Sequence, residues 1–213
     1  MPWRNEPVGI ETNLAFHLEN NLLFLPSVTI DGRPGRYIFG SANVRSVLDP
    51  RVAGSTAAHS VTLSGKDTFN IKPVVVDLRG IADGIVGADV IARNAVTIDY
   101  RSQIVTYQKE GIHPELMTLY PYNAEPSVTV NVDGVEVSAI VDTTSPDTLV
   151  LPRRNASRSN VRVRVAGIDF GSVDVQYANV ARARIGNRLL SKFLVSIDYG
   201  KRVVGLWRDP RMS

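Results

Sequence analysis

Residues 28–50 read VTIDGRPGRYIFGSANVRSVLDP, and residues 130–152 read VNVDGVEVSAIVDTTSPDTLVLP. The two stretches align without a gap, at an offset of 102 residues (130 minus 28). They share an Asp-Gly pair, a run of apolar and aromatic residues, and a final proline. An Asp-Gly pair between runs rich in β-branched residues is typical of a two-residue hairpin turn. The sequence therefore predicts the same strand-turn-strand unit twice in one chain.

A second block of sequence is also repeated. GADVIARNAVTIDYRSQIV (residues 87–105) matches GNRLLSKFLVSIDYGKRVV (residues 186–204), and both contain Ile-Asp-Tyr. Two blocks repeated in the same order indicate a tandem duplication of a unit of about one hundred residues. Helical periodicity is confined to residues 87–95, 187–192 and 50–53, whereas β-branched runs fill the rest. The patterns predict an all-β fold with one short helix per copy.

Composition excludes several classes of site. The chain has no cysteine, and its three histidines lie far apart in sequence. We therefore expect no disulfide, no metal site and no cofactor. No apolar run approaches the roughly 18 residues of a membrane helix, and the N-terminus lacks the apolar core of a signal peptide.

The positive charges are concentrated in the second half of the chain. Arg162 and Arg164, like Arg182 and Arg184, alternate with apolar residues, which is typical of the solvent face of a strand. Nucleic-acid binding is not expected, because aromatic residues that would stack on bases are not interleaved with these arginines.

A segment of the second copy carries a resemblance to a known family. Residues 139–145 read AIVDTTS and are followed by an apolar strand. The segment resembles the active-site motif of retropepsin-like (pepsin-like) aspartic proteases: two apolar residues, Asp-Thr-Gly, then Ser or Ala. Residues 84–87 (GIVG) and 184–187 (RIGN) resemble the segment that closes the active-site loop in that family.

The resemblance covers about residues 10–210 and is to the bacterial type with two fused copies. It implies two retropepsin-like (acid protease) β-barrel lobes related by a pseudo-two-fold axis, each with one short helix. The expected lobes are residues 1–112 and 113–213.

The family's chemistry requires a pair of aspartates, as in pepsin. Two close carboxyl groups share one proton, so that one activates a water molecule and the other donates a proton to the peptide carbonyl. The resemblance makes Asp142 the catalytic residue of the second copy. In the first copy the aligned residue is Gly40, so one aspartate is missing. The neighbouring positions expected to contact a substrate are Thr143, Thr144, Gly40, Ser41 and Ala42.

The leading interpretation is a pseudoprotease that binds an extended peptide or similar ligand between its lobes. One alternative is an active endopeptidase that pairs Asp142 with a non-standard acid, such as Asp49 or Asp147, or with Asp142 of a second copy. Another is a structural or partner-binding module.

The expected partner is a peptide or protein, and the expected state is a monomer or weak homodimer. The resemblance implies an exported bacterial protein. Asp99 and Asp198, in the two Ile-Asp-Tyr motifs, are expected to be structural.

Overall fold

The structure, a computed structural model, describes residues 12–54, 57–108, 115–153 and 159–208. Within these ranges most regular structure is β, which confirms the predicted all-β class. The expected boundary between residues 112 and 113 lies outside the described residues.

The first half of the chain contains thirteen of the described strands. They are β1 (Thr12–Ala15), β2 (His17–Glu19), β3 (Leu22–Phe24), β4 (Val28–Ile30), β5 (Arg33–Pro34), β6 (Tyr37–Phe39), β7 (Val47–Leu48), β8 (His59–Leu63), β9 (Asp67–Ile71), β10 (Val74–Val75), β11 (Gly84–Val86), β12 (Ala95–Asp99) and β13 (Ile104–Gln108).

The second half contains the other ten described strands. They are β14 (Thr118–Pro121), β15 (Ser127–Val132), β16 (Val135–Val141), β17 (Leu149–Pro152), β18 (Asn160–Val165), β19 (Ile168–Asp174), β20 (Gln176–Ala178), β21 (Ala183–Ile185), β22 (Leu194–Asp198) and β23 (Val203–Trp207). The described helices each have four residues: α1 (Pro50–Ala53), α2 (Ala88–Ile91) and α3 (Asn187–Leu190).

The same strand arrangement occurs in both halves. The first half contains the order β10-β7-β11-β6, and the second contains β20-β17-β21-β16. In both, the successive pairings are parallel, antiparallel and parallel. The neighbouring order β5-β4-β8-β9 also has a counterpart, β16-β15-β18-β19. The repeated sequence blocks therefore form repeated strand pairings.

The two halves share one sheet, with the strand order β1-β13-β12-β22-β23-β14. β12 and β22 pair antiparallel at its centre, where the hydroxyls of Thr97 and Ser196 lie 3.0 Å apart. One buried apolar cluster includes Ile98 of β12 and Ile197 of β22. A shared sheet and a shared core mean that the described parts of the two halves are packed as one body.

The Asp-Gly hairpins form as predicted. Asp31 and Gly32 have φ angles of 50° and 72°, and Asp133 and Gly134 have φ angles of 48° and 91°. Positive φ at both central positions is the conformation of the two-residue turn that joins right-twisted strands, and Asp-Gly tolerates it well. Each aspartate also accepts a backbone N–H from the neighbouring hairpin.

The prediction of one helix per copy is wrong for the first half, which has both α1 and α2. The Asp49 carboxylate accepts the N–H of Arg51, and Pro50 occupies the first turn, so a helical turn begins there. Pro152 is aligned with Pro50 but remains in strand β17, where it pairs with Ala178. Its preceding residue is leucine, which has no oxygen with which to cap a helix.

The other two helices are shorter than predicted. Residues 87–95 were expected to be helical, but α2 ends at Ile91 because the chain must extend again by Ala95 to pair with β22. Residues 187–192 likewise form a helix only as far as Leu190. In both cases the helix ends early because the residues that follow it pair in the shared sheet.

Asp49 provides a pH-dependent prediction. Its side chain is buried, and hydrogen bonds from the Arg51 side chain, the Arg51 N–H and the Leu78 N–H lower the pKa of Asp49 to about 2. Because the pKa is lower in the folded protein than in the unfolded chain, the ionised carboxylate stabilises the fold. This stabilisation is complete above pH 3.8, the ordinary pKa, and is lost as the pH falls toward 2. We expect Asp49→Asn to be less stable than the wild type near neutral pH. The difference should shrink on acidification. Urea unfolding of both proteins from about pH 6 to about pH 2.5 measures the difference in their free energies of unfolding. A difference that does not change with pH would contradict the lowered pKa of Asp49.

Candidate functional site

Two loops, which follow strands β6 and β16, are joined by crossed hydrogen bonds. Ser41 Oγ donates to the carbonyl of Val141 at 2.6 Å and accepts the N–H of Thr143 at 3.1 Å. Thr143 Oγ1 donates to the carbonyl of Phe39 at 2.6 Å and accepts the N–H of Ser41 at 2.9 Å. Both hydroxyl side chains are fully buried. We call these four hydrogen bonds the interloop grip.

The backbone on either side of the grip is built in the same way. The N–H of Gly40 donates to the carbonyl of Val86, and the N–H of Asp142 donates to the carbonyl of Ile185. Gly87 follows the first of these carbonyls, and a Cβ there would lie 2.6 Å from the backbone of Arg45. This close approach explains why glycine follows the apolar pair in the first copy, and Gly186 is equally crowded in the second.

A tyrosine from each Ile-Asp-Tyr motif is hydrogen-bonded to the loops of the grip, either directly or through Asn187; Tyr100 is buried and Tyr199 is partly buried. The Tyr199 hydroxyl donates to the carbonyl of Ser41 at 3.1 Å. The Tyr100 hydroxyl donates to Asn187 Oδ1 at 2.8 Å, and Asn187 Nδ2 donates to the carbonyl of Thr143 at 2.7 Å. Burial raises the pKa of both tyrosines, so both remain neutral donors. Each tyrosine therefore acts on the half of the chain that does not contain it.

The aspartates of the same motifs have a different role. Asp99 Oδ1 accepts the N–H groups of Arg101 and Ser102, and Asp198 Oδ1 accepts the N–H of Lys201. These are turn contacts between neighbouring strands, in agreement with the structural role predicted for both aspartates. The residue of the repeated motif that contacts the two loops is the tyrosine, for which the sequence analysis predicted no role.

Both oxygens of Asp142 are engaged. Oδ1 accepts the N–H and the hydroxyl of Thr144, at 2.9 Å and 2.6 Å, and Oδ2 accepts Arg184 Nη1 at 2.6 Å. The Asp142 side chain is only 3% exposed, whereas that of Arg184 is 39% exposed. The carboxylate is thus covered by a hydroxyl and a guanidinium, and it is the guanidinium that faces outward.

Gly40 lies at the aligned position in the first half, and side chains of Ile85 and Asn43 surround it closely. A Cβ at Gly40 would lie 2.5 Å from Ile85 Cγ2 and 2.8 Å from Asn43 Oδ1. Ile85 is paired with β6 as Arg184 is paired with β16. The two halves therefore contain matched pairs at this point: glycine with isoleucine in the first, and aspartate with arginine in the second.

Neither acid suggested as a substitute partner is hydrogen-bonded to Asp142. Asp49 is held at the start of α1 by Arg51 and the N–H of Leu78. Asp147 is half-buried, and its carbonyl accepts the N–H of Arg188. In the described residues, the side chain of Asp142 has hydrogen bonds only with Thr144 and Arg184.

Thr144 follows Thr143 in the loop after β16, and both its backbone and its side chain contact Asp142. Its N–H and hydroxyl form a local cap on the carboxylate of Asp142. Ala42 is half-buried beside Ser41 in the other loop. Contact of these positions with a substrate remains a prediction.

Arg184 was missed as a site residue, because its alternation with apolar residues indicated a solvent face. That interpretation is confirmed for Arg162 and Arg164, which are exposed and lie 2.6 Å and 3.6 Å from Asp169. Arg184 is also partly exposed, but it pairs with a buried acid, which the alternating pattern did not predict. The available signal was the alignment: Ile85 is its counterpart, and arginine is unusual in an apolar-apolar-Gly segment.

The described helices are too short and insufficiently apolar for any of them to cross a membrane. Comparison with known proteins finds no matching family model and no matching curated protein.

Proposed function

We propose that the chain is a tandem retropepsin-like protein that has lost peptide hydrolysis and binds an extended peptide between two lobes. The repeated strand order supports a duplicated scaffold. The interloop grip supports two active-site loops facing each other across a pseudo-two-fold axis. The proposed lobes are residues 1–112 and 113–213.

The main support for a loss of hydrolysis is the ion pair between Asp142 and Arg184. A general base must offer an oxygen to the attacking water, within hydrogen-bond reach. Asp142 is 3% exposed and its two oxygens accept hydrogen bonds from Thr144 and Arg184. Gly40 provides no carboxyl group on the other side to act as the acid. Both proton-transfer roles of the protease pair are therefore unfilled.

A ligand-binding role remains because the grip is intact. The four buried hydrogen bonds hold the two loops in register without any help from a catalytic pair. A ligand bound across the two loops would need such a fixed arrangement, since preorganised groups bind without a further ordering cost.

Peptide cleavage measured from about pH 3 to about pH 7.5 tests the proposal, since aspartic proteases work with one proton shared between two carboxyls. We expect neither the wild type nor Asp142→Asn to hydrolyse a mixed peptide library. Cleavage that disappears in Asp142→Asn would show an active endopeptidase and overturn the proposal. A statine-containing peptide should bind the wild type without turnover, and failure to bind any peptide would favour a structural module.

A further inference from the structure

A cavity of about 330 Å³ opens at one end of the shared sheet, and its lining includes no residue of the interloop grip. One side of it is a row of side chains across three strands. Leu194 of β22 pairs with Asp99 of β12 and, on its other side, with Trp207 of β23. Residues paired in this way have their side chains on the same face of the sheet. Cavities of about 300 Å³ and above hold small ligands, so the volume suits a small molecule.

Two backbone segments that line the cavity are held by local hydrogen bonds. Asp99 Oδ1 accepts the N–H of Arg101 at 2.9 Å, in the turn that follows β12. The N–H of Lys192 donates to the carbonyl of Leu189, at the end of α3, at 3.1 Å. A ligand would therefore meet a preformed surface, which lowers the ordering cost of binding.

Two positive charges and one negative charge line the cavity. Arg101 and Lys192 are exposed, and neither side chain has an ion pair or a hydrogen bond with any residue that the structure describes. Asp99 is the acid, so the formal charge of the lining is +1, two positive less one negative. A concave surface with excess positive charge and apolar walls attracts anions more strongly than a flat, fully hydrated surface does.

The apolar part of the lining includes two aromatic residues. Trp207 is half-buried, and Phe193 is buried beneath the cavity surface. The first half of the chain has no such surface, because its equivalent row consists of Asp198, Ala95 and Gln108. An accessible indole favours the stacking of another flat ring. The duplicated position thus has an aromatic wall in the second half only.

We propose that this cavity binds a small organic anion with a flat ring system and one acidic group. The ring lies against Trp207, and Arg101 and Lys192 bind the acidic group. The site is independent of the proposed peptide binding, because it shares no residue with the two loops of the interloop grip.

An NMR titration of the isotope-labelled full-length chain with indole-3-acetate tests the proposal. The chain has two tryptophans, so Trp3→Phe assigns the indole N–H signal of Trp207. We expect this signal to shift with saturation, at a dissociation constant of about 1 mM. The neutral isostere indole-3-acetamide should bind about 10-fold more weakly, because it forms no charge-assisted hydrogen bond with either cation.

Variants assign the binding to the lining residues. Arg101→Gln with Lys192→Gln changes only exposed side chains and should reduce the affinity for the acid to that for the amide. Trp207→Gln copies the first half of the chain and should abolish the saturable shifts of the backbone amides around the cavity. Lys201→Gln is the matched control, because Lys201 is exposed and aligned with Ser102 in the other Ile-Asp-Tyr turn, and it should leave the affinity unchanged. The backbone amide spectrum of each variant shows whether it is folded.

Three results would overturn this site. They are the absence of a saturable shift of the Trp207 signal up to about 10 mM indole-3-acetate, equal affinity for the acid and the amide, and an unchanged affinity for the acid in the exposed double variant. None of these results bears on peptide binding between the two loops, which the cleavage and statine experiments test separately.

Discussion

Replacing Arg184 with methionine should lower the melting temperature by about 4 to 12 °C, which corresponds to about 2–3 kcal/mol for a chain of this size. Removal of one partner from a fully buried ion pair costs about 3–5 kcal/mol, and we expect less here because the guanidinium is partly exposed to solvent. The change leaves the carboxylate of Asp142 buried with only the hydrogen bonds from Thr144. Thermal unfolding followed by circular dichroism measures the effect.

A double-mutant cycle provides the control for this prediction. Asp142→Gly with Arg184→Ile should be more stable than Arg184→Met, because it removes the buried charge together with its partner and copies the Gly40 and Ile85 pair. The cycle of Asp142→Asn and Arg184→Met should show a favourable coupling energy between the two residues. Strictly additive effects would contradict the ion pair as the main interaction of Asp142.

Breaking the interloop grip should have an effect of similar size. Ser41→Ala removes the donor to the carbonyl of Val141 and the acceptor for the N–H of Thr143, both in a buried site. Each unsatisfied buried group costs about 1–3 kcal/mol, so we expect a total loss of about 3 kcal/mol in the free energy of unfolding. Urea denaturation of the wild type and the variant measures this loss.

Two further variants test whether the grip acts as a unit. Thr143→Val should cost about as much as Ser41→Ala, and the double variant should cost less than the sum, because the two hydroxyls share one network. Thr62→Ala is the matched control: the Thr62 hydroxyl lies 2.9 Å from that of the exposed Thr68, and its loss should cost less than about 0.5 kcal/mol. An effect of Ser41→Ala no larger than this control would show that the grip does not hold the loops together.

Much of the fold was predictable from local patterns. The turns at Asp31 and Asp133 need positive φ at two adjacent positions, and Asp-Gly is a residue pair that adopts this conformation readily. The NVRVRV stretch of β18 alternates between exposed and buried residues because successive side chains of a strand point to opposite faces. Such features depend on neighbours a few residues away. The helices were predicted less well, because their ends depend on where β12 and β22 must begin.

The sequence identified several residues of the candidate site but not all of the contacts between them. Gly40, Ser41, Asp142 and Thr143 were identified through the repeat, and the structure brings Ser41 and Thr143 into direct contact. The contact between Asp142 and Arg184 was not predicted, since it spans 42 residues. It depends on the parallel register of β16 and β21, in which Arg184 lies beside Ile140, two residues before the aspartate. A side chain that looks exposed in an alternating pattern is thereby directed to a buried acid.

Sequence alone determined that the chain is duplicated, that it is built from strands and hairpins, and that one of the two aligned positions lacks a carboxyl group. These properties follow from residue identity, turn geometry and the two-residue period of strands. Only the tertiary structure decided what surrounds the remaining carboxylate. The strands that carry Asp142 and Arg184 are separated along the chain, and the charge of a buried group is stabilised by whichever partner the packing places beside it.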